Sequence, residues 1–237
     1  MSQISELQMS VAFEKLIKSD IHVNGMPKFD LFYKEIVCQQ GIADFIGIIY
    51  EKKMDRFSFL DNIVSLESGT LVLSLLKHKA PRSEIYLLEK TGLSEKTISR
   101  VINELLDKDI IQKIREKTYV ISSNLFIPEF DIWAFELKLS NWKRALFQAL
   151  QYKAFANYSS IVVPLEKEYL LSKQLPLFRK LNVGIILFDY DKSKIRFLIR
   201  PKKEKSTSKW HRFYAMGKLA NHRNTNNILN YEIDRIL

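Results

Sequence analysis

Cysteine is nearly absent from this chain: Cys38 is the only one in 237 residues. One thiol excludes an intrachain disulfide framework and a thiolate zinc cluster. A reducing cytoplasm suits such a composition. Glycine and proline are also scarce, at 7 and 6 residues. Linkers are therefore short, and collagen-like or low-complexity architectures are excluded. No apolar run reaches the roughly 18 residues needed to cross a bilayer. The longest, such as Val183 to Phe188, have strand length, so no membrane association is expected. The opening residues MSQISELQMSVAFEK carry early acids and lack the basic-then-apolar order of a secretory signal. The histidines His22, His78, His211 and His222 have no metal-ligand spacing. The segment GTLVLSLLK lacks the pattern of a phosphate-cradling loop. No internal repeat is present.

Apolar residues make up 46% and charged residues 27%, which is globular rather than disordered composition. At about 150 residues per domain the length predicts one large or two small domains. Such a chain buries roughly 70% or more of its unfolded surface and needs no covalent or metal staple.

The charge is uneven. The formal net charge is +10, from 37 basic and 27 acidic residues. Lys192 to Arg223 holds eleven basic residues and one acid, Glu204, which leaves the remainder balanced at 26 against 26. Trp210, Phe213 and Tyr214 are interleaved with these charges. A local field of this kind attracts a polyanion, and Lys and Arg neutralise phosphates without reading sequence. Lys202, Lys203, Lys209 and Arg212 are the candidate contacts in this stretch.

Periodicity predicts a first helix over residues 4–17, with Ile4, Leu7, Val11, Leu16 and Ile17 at helical spacing. A turn at HVNGMPKF follows. Strands are expected from Asp30 to Val37 and from Ile42 to Tyr50, joined as a hairpin around CQQG. Helical spacing then runs from Ser68 to Lys79, Arg82 to Lys90 and Glu95 to Leu106. Short runs at Ile110 to Ile114 and Thr118 to Ile121 flank a turn at Arg115, Glu116 and Lys117. After Pro128 come a strand from Ile132 to Leu139, a helix from Trp142 to Ala156, and strands at Ser160 to Val163, Gly184 to Phe188 and Arg196 to Ile199. The pattern predicts an α/β domain interrupted by a helical module. Long insertions into surface turns cost little, because loop-closure entropy grows logarithmically.

The inserted stretch EIYLLEKTGLSEKTISRVINELLDKDIIQKI resembles a winged helix-turn-helix, most like the bacterial MarR-type regulators. Gly92 suits the turn, and Ser94 suits the N-cap of the second helix. Ile98, Val101, Ile102 and Leu105 form a buried stripe, leaving Lys96, Thr97, Ser99 and Arg100 outward. The resemblance implies that this helix enters the major groove of DNA, where those side chains meet base edges. Lys113, Arg115 and Lys117 would form the wing near phosphates. Such modules also serve as protein-docking or dimerisation units.

The strand WAFELKL has a second reading. Alternation places Glu136 and Lys138 on one face, and Phe135 and Leu137 on the other. Glu and Lys are rarely buried without partners. Asp44 lies among apolar neighbours in GIADFIGIIY. Convergent carboxylates suit a hard divalent cation, and an adjacent lysine can stabilise phosphorane-like charge. Asp44, then Glu136-Leu137-Lys138, then a helix carrying Gln148 and Tyr152 at Q-x-x-x-Y spacing, together resemble the PD-(D/E)XK nuclease superfamily and its RecB-like branch. The resemblance implies a restriction-endonuclease-like mixed sheet flanked by helices. It would comprise residues 1–55 and 124–237, with the winged helix at 56–123. It further implies Mg²⁺ or Mn²⁺ held by Asp44, Glu136 and the Leu137 carbonyl. Lys138 would act on the attacking water, with Gln148 and Tyr152 in support. Glu14 would be the first-helix acid, with Glu35 as its substitute. Ala43 stands where the family motif has proline, and the gap of 92 residues from Asp44 to Glu136 exceeds the usual spacing. The expected activity is metal-dependent cleavage of double-stranded DNA by a homodimer, in phage defence or mobile-element biology. A non-catalytic DNA-binding regulator and an interaction subunit with protein partners remain alternatives.

Overall fold

The structure is a computed structural model of the chain. It describes residues 4–19, 25–38, 41–50, 67–125, 127 and 129–219. His22 to Asn24 of the turn expected at HVNGMPKF, the centre of the CQQG connection, residues 56–66, His222 and Arg223 lie outside the described residues. Two compact units are present. The first comprises Met1–Lys52 and Phe130–Thr207, and the second Lys53–Glu129 and Ser208–Leu237.

The first unit is an α/β layer structure. Helix α1 (Glu6–Lys18) starts at a capping box, in which the Ser5 hydroxyl accepts from the Gln8 N–H and the Gln8 side chain accepts from the Ser5 N–H. Strands β1 (Leu31–Cys38) and β2 (Gly41–Tyr50) follow as an antiparallel pair. The chain returns, after the second unit, as β6 (Phe130–Leu137), α5 (Trp142–Tyr152), β7 (Tyr158–Pro164), a 3₁₀ turn (Leu165–Lys167), α6 (Glu168–Ser172), α7 (Leu175–Leu181), β8 (Gly184–Asp189) and β9 (Lys194–Ile199). The mixed sheet has the order β1-β2-β6-β7-β8-β9. Strands β6, β7 and β8 are parallel, and both flanks are antiparallel.

Alternation along β6 sorts the two cores. Trp133, Phe135 and Leu137 join Met9, Phe13 and Leu16 of α1 on one face. Phe13 is fully buried. Its ring meets those of Phe32, Phe45, Phe135 and Phe188 at centroid distances of 5.5 to 6.4 Å. Losing such a ring costs about 3–5 kcal/mol. On the other face Ala145, Leu146 and Ala149 of α5 and Phe178 of α7 pack on Ile161, Val163, Ile185 and Leu187. Glu136 points to this second face, opposite to its neighbours Phe135 and Leu137.

In the second unit, α2 (Glu67–Leu75), β3 (Arg82–Ser83), α3 (Glu84–Thr91), α4 (Glu95–Asp107), β4 (Ile111–Arg115) and β5 (Thr118–Ile121) follow in order. The three short strands form a separate sheet, β3-β5-β4. Ser83 and Ser94 cap α3 and α4 through their hydroxyls. Gly92 closes α3 at φ 67°, a left-handed conformation that glycine adopts without steric cost. Ile98, Val101, Ile102 and Leu105 are buried as a stripe along α4. A further helix, α8, spans residues 209–219 in this unit. The basic C-terminal stretch is thus divided: Lys192 to Thr207 belongs to the sheet unit, and Ser208 onward to the other.

Candidate active site

The pairing of β2 with β6 brings distant residues together. Phe45 faces Phe135 and Ile46 faces Ala134. The same register carried one step further sets Asp44 opposite Glu136, and directly opposed residues share a sheet face. Asp44 Oδ2 accepts from the Leu137 N–H at 2.7 Å. Lys138 Nζ lies 2.9 Å from Glu136 Oε1 and 4.0 Å from Asp44 Oδ2. It also donates to the Leu137 carbonyl at 2.9 Å.

Glu136 is nearly sealed, with its side chain 1% exposed against 30% for Asp44 and 17% for Lys138. The Tyr152 hydroxyl, brought in by α5, lies 2.5 Å from Glu136 Oε2 and 2.7 Å from the Ile42 carbonyl oxygen. Glu136 Oε1 has no directed hydrogen bond. The Lys138 ammonium meets it as an ion pair at 2.9 Å.

Burial pushes the Glu136 carboxyl above its ordinary range, and the Asp44 charge adds to this, against the Tyr152 hydrogen bond and Lys138. Burial also raises Asp44, against the Leu137 N–H and Lys138, with Glu6 and Glu35 pushing it further up. Burial alone would lower Lys138, but Glu136 first, then Asp44 and Glu6, hold the ammonium above its ordinary value. Burial and the Glu136 charge push the Tyr152 phenol up, so it keeps its proton.

The first-helix acid at this site is Glu6, not Glu14. Glu6 Oε2 stands 3.7 Å from Lys138 Nζ, and Glu6 Oε1 accepts from the Leu139 N–H at 3.4 Å. Glu14 turns away to pair with Lys18 at 2.6 Å, one helical turn on. The two acids are eight positions apart, and Glu6 sits in the first turn of α1, nearest the end of β6. Glu35, with a largely exposed side chain, pairs with Lys34 at 3.6 Å. Gln148 lies one turn before Tyr152 on α5, but no hydrogen bond joins it to the carboxylates among the described residues.

Among the described residues no group of three or more His, Cys, Asp or Glu side chains is arranged to hold a metal ion. What is present is a cation ringed by oxygens. The Lys138 ammonium sits against Glu136, the Leu137 carbonyl, Asp44 and Glu6. These donors are the carboxylates and carbonyl that suit a hard divalent cation. Buried Glu136 Oε1 has the Lys138 ammonium as its partner, the position a divalent cation would take over.

The nucleic-acid candidates fall in several places. Lys96, Ser99 and Arg100 are exposed on α4, with Thr97 half-buried. Arg100 reaches Ser68 at 3.4 Å and Glu104 at 3.9 Å. Lys113, Arg115 and Lys117 are exposed on and beside β4. Lys202 and Lys203 are exposed on the segment after β9, and Lys203 pairs with Asp131 at 2.8 Å. Lys209 is exposed on α8. Its ammonium donates to the Leu76 carbonyl at 3.0 Å, and burial lowers its pKa. Arg212 is half-buried on α8.

The chain matches no family model and no curated protein sequence.

Proposed function

We propose that this protein is a metal-dependent nuclease of the PD-(D/E)XK type, with a winged helix-turn-helix inserted between β2 and β6 as its DNA-reading module. One observation carries the reading. Asp44 and Glu136, separated by 92 positions, meet on adjacent strands with Lys138 between them. Asp44, Glu136 and the Leu137 carbonyl would hold Mg²⁺ or Mn²⁺. When bound, such an ion supplies charge neutralisation and a more acidic water. Tyr152 orients Glu136 by its hydroxyl. The Glu6 carboxylate stands beside Lys138. Lys138, protonated through its carboxylate neighbours, stabilises negative charge on the phosphoryl oxygens. The exposed face of α4 and the basic hairpin support a DNA target. Cutting both strands of a duplex requires two sites, which makes a homodimer the working assembly.

The test is cleavage of plasmid DNA with Mg²⁺ by the wild type, Asp44→Ala and Lys138→Ala. Activity confined to the wild type supports the reading, and equal activity in all three sinks it. The closed ring around Lys138 favours a second reading, a DNA-binding regulator on a nuclease-like scaffold. That reading predicts selective DNA binding lost on Arg100→Ala, with no cleavage under any divalent metal.

A further inference from the structure

A second cationic feature lies wholly within the sheet unit. Arg179, Lys180, Arg200, Lys202, Lys203 and Glu204 line a groove of about 740 Å³ between the end of α7 and the segment after β9. Its single acid is neutralised from outside: Glu204 Oε2 pairs with Lys153 at 2.7 Å. Lys203 is engaged by Asp131. Arg179, Lys180, Arg200 and Lys202 are exposed and form no ion pair with a described residue.

The groove is held open by backbone clamps. Asn182 ends α7 in the left-handed conformation at φ 48°. Its amide donates to the Lys202 carbonyl at 2.9 Å and accepts from the Lys202 N–H at 2.8 Å. The Glu204 N–H donates to the Asn157 carbonyl at 3.1 Å, and the Asn157 amide donates to the Glu204 carbonyl at 3.0 Å. Arg200 lies over the Phe197 ring at 5.0 Å and against Gly25, where a Cβ would overlap the guanidinium. Four cationic side chains therefore open on one groove, against a single acid that is already paired. No aromatic side chain lines the groove. It offers charge without a stacking platform for bases, which is the chemistry of backbone contact rather than base reading.

The sheet register relates the groove to the carboxylates. Glu136 pairs with Ile161, Ile161 with Ile185, and Ile185 with Ile199. Three strand spacings make that row about 14 Å, and Arg200 follows Ile199.

We propose that this groove binds the phosphodiester backbone of the nucleic acid. The inference rests on the nuclease reading for its substrate, and its test is kept separate from cleavage. Binding of a 20-base-pair duplex to the full chain is followed by fluorescence anisotropy in EDTA, from 50 to 200 mM salt. The comparison is wild type against Lys180→Gln/Arg200→Gln/Lys202→Gln. Losing three phosphate contacts is expected to reduce the slope of log affinity against log salt by about 2.7. Affinity at 0.1 M salt should fall at least tenfold. The single variants Lys180→Gln and Lys202→Gln should each reduce the slope by about 0.9, which keeps the result readable if the triple variant fails to fold. Arg196→Gln, whose guanidinium is already paired with Glu168, should leave the slope unchanged. An unchanged slope in the triple variant overturns the proposal. So does a loss of binding to phosphatidylserine vesicles with duplex binding intact. A wild type that binds as expected but never cleaves leaves the groove standing and removes the catalytic reading.

Discussion

Replacing Tyr152 by phenylalanine isolates one hydroxyl at the centre of the carboxylate site. The ring is fully buried and stands 5.9 Å from Phe155, so its packing survives the change. What is lost is the proton shared between Glu136 Oε2 and the Ile42 carbonyl oxygen. Glu136 cannot recover that partner from water, because its side chain is 1% exposed. Leaving a buried acceptor without its donor costs about 2–3 kcal/mol. At 2–4 °C per kcal/mol for a domain of this size, the melting temperature should fall by about 4–12 °C. The loss should depend on pH with a defined sign. The Glu136 and Asp44 carboxyls are both raised above their ordinary values of 4.5 and 3.8. Over the window between unfolded and folded values, the folded state keeps protons that the unfolded state has released. Stability is therefore greatest below the unfolded values and falls as pH rises through the folded ones. The Tyr152 hydrogen bond works against the rise at Glu136. Tyr152→Phe moves Glu136 higher still and extends the falling limb to higher pH. Melting followed by circular dichroism from pH 4 to 8, without divalent metal, should show a deficit that widens with pH. A variant that melts with the wild type at pH 7, or whose deficit shrinks as pH rises, refutes the reasoning.

Two other outcomes follow from named contacts. Glu6→Gln should lower metal-dependent cleavage several-fold, whereas Glu14→Gln should leave it within twofold, because Glu6 faces Lys138 and Glu14 faces Lys18; initial rates at saturating Mg²⁺ decide. Ser94→Ala removes the hydroxyl that accepts from the Thr97 N–H at 3.2 Å. It should cost about 1 kcal/mol and weaken duplex binding, read by melting and anisotropy on the same samples.

Local signals were legible in the sequence where a short period or a capping residue determines the outcome. The alternation in β6 separated Glu136 from Phe135 and Leu137, and the structure separates them likewise. The helices around Gly92, with serine at each N-cap, follow the spacing of their apolar residues. Helices α6 and α7 escaped, at five and seven residues, because neither is long enough to display a helical period. Glu6 escaped for another reason. Which acid of α1 reaches Lys138 depends on how the helix lies across the sheet, and spacing along one helix does not encode that. The groove at Arg179 and Lys202 escaped because it is assembled by an asparagine in a left-handed turn bonding a segment 20 residues on. The run of basic residues after Lys192 was visible as charge, but its division between two units was not.

The proposed nuclease depends on a cation held by Asp44 and Glu136 beside Lys138. Crystals grown with Mn²⁺ and measured at the manganese absorption edge test it directly. The expected result is an anomalous peak beside Asp44, Glu136 and the Leu137 carbonyl, with the Lys138 ammonium displaced from Glu136. Absence of a peak there, with Lys138 still against Glu136 and the Leu137 carbonyl, would contradict it.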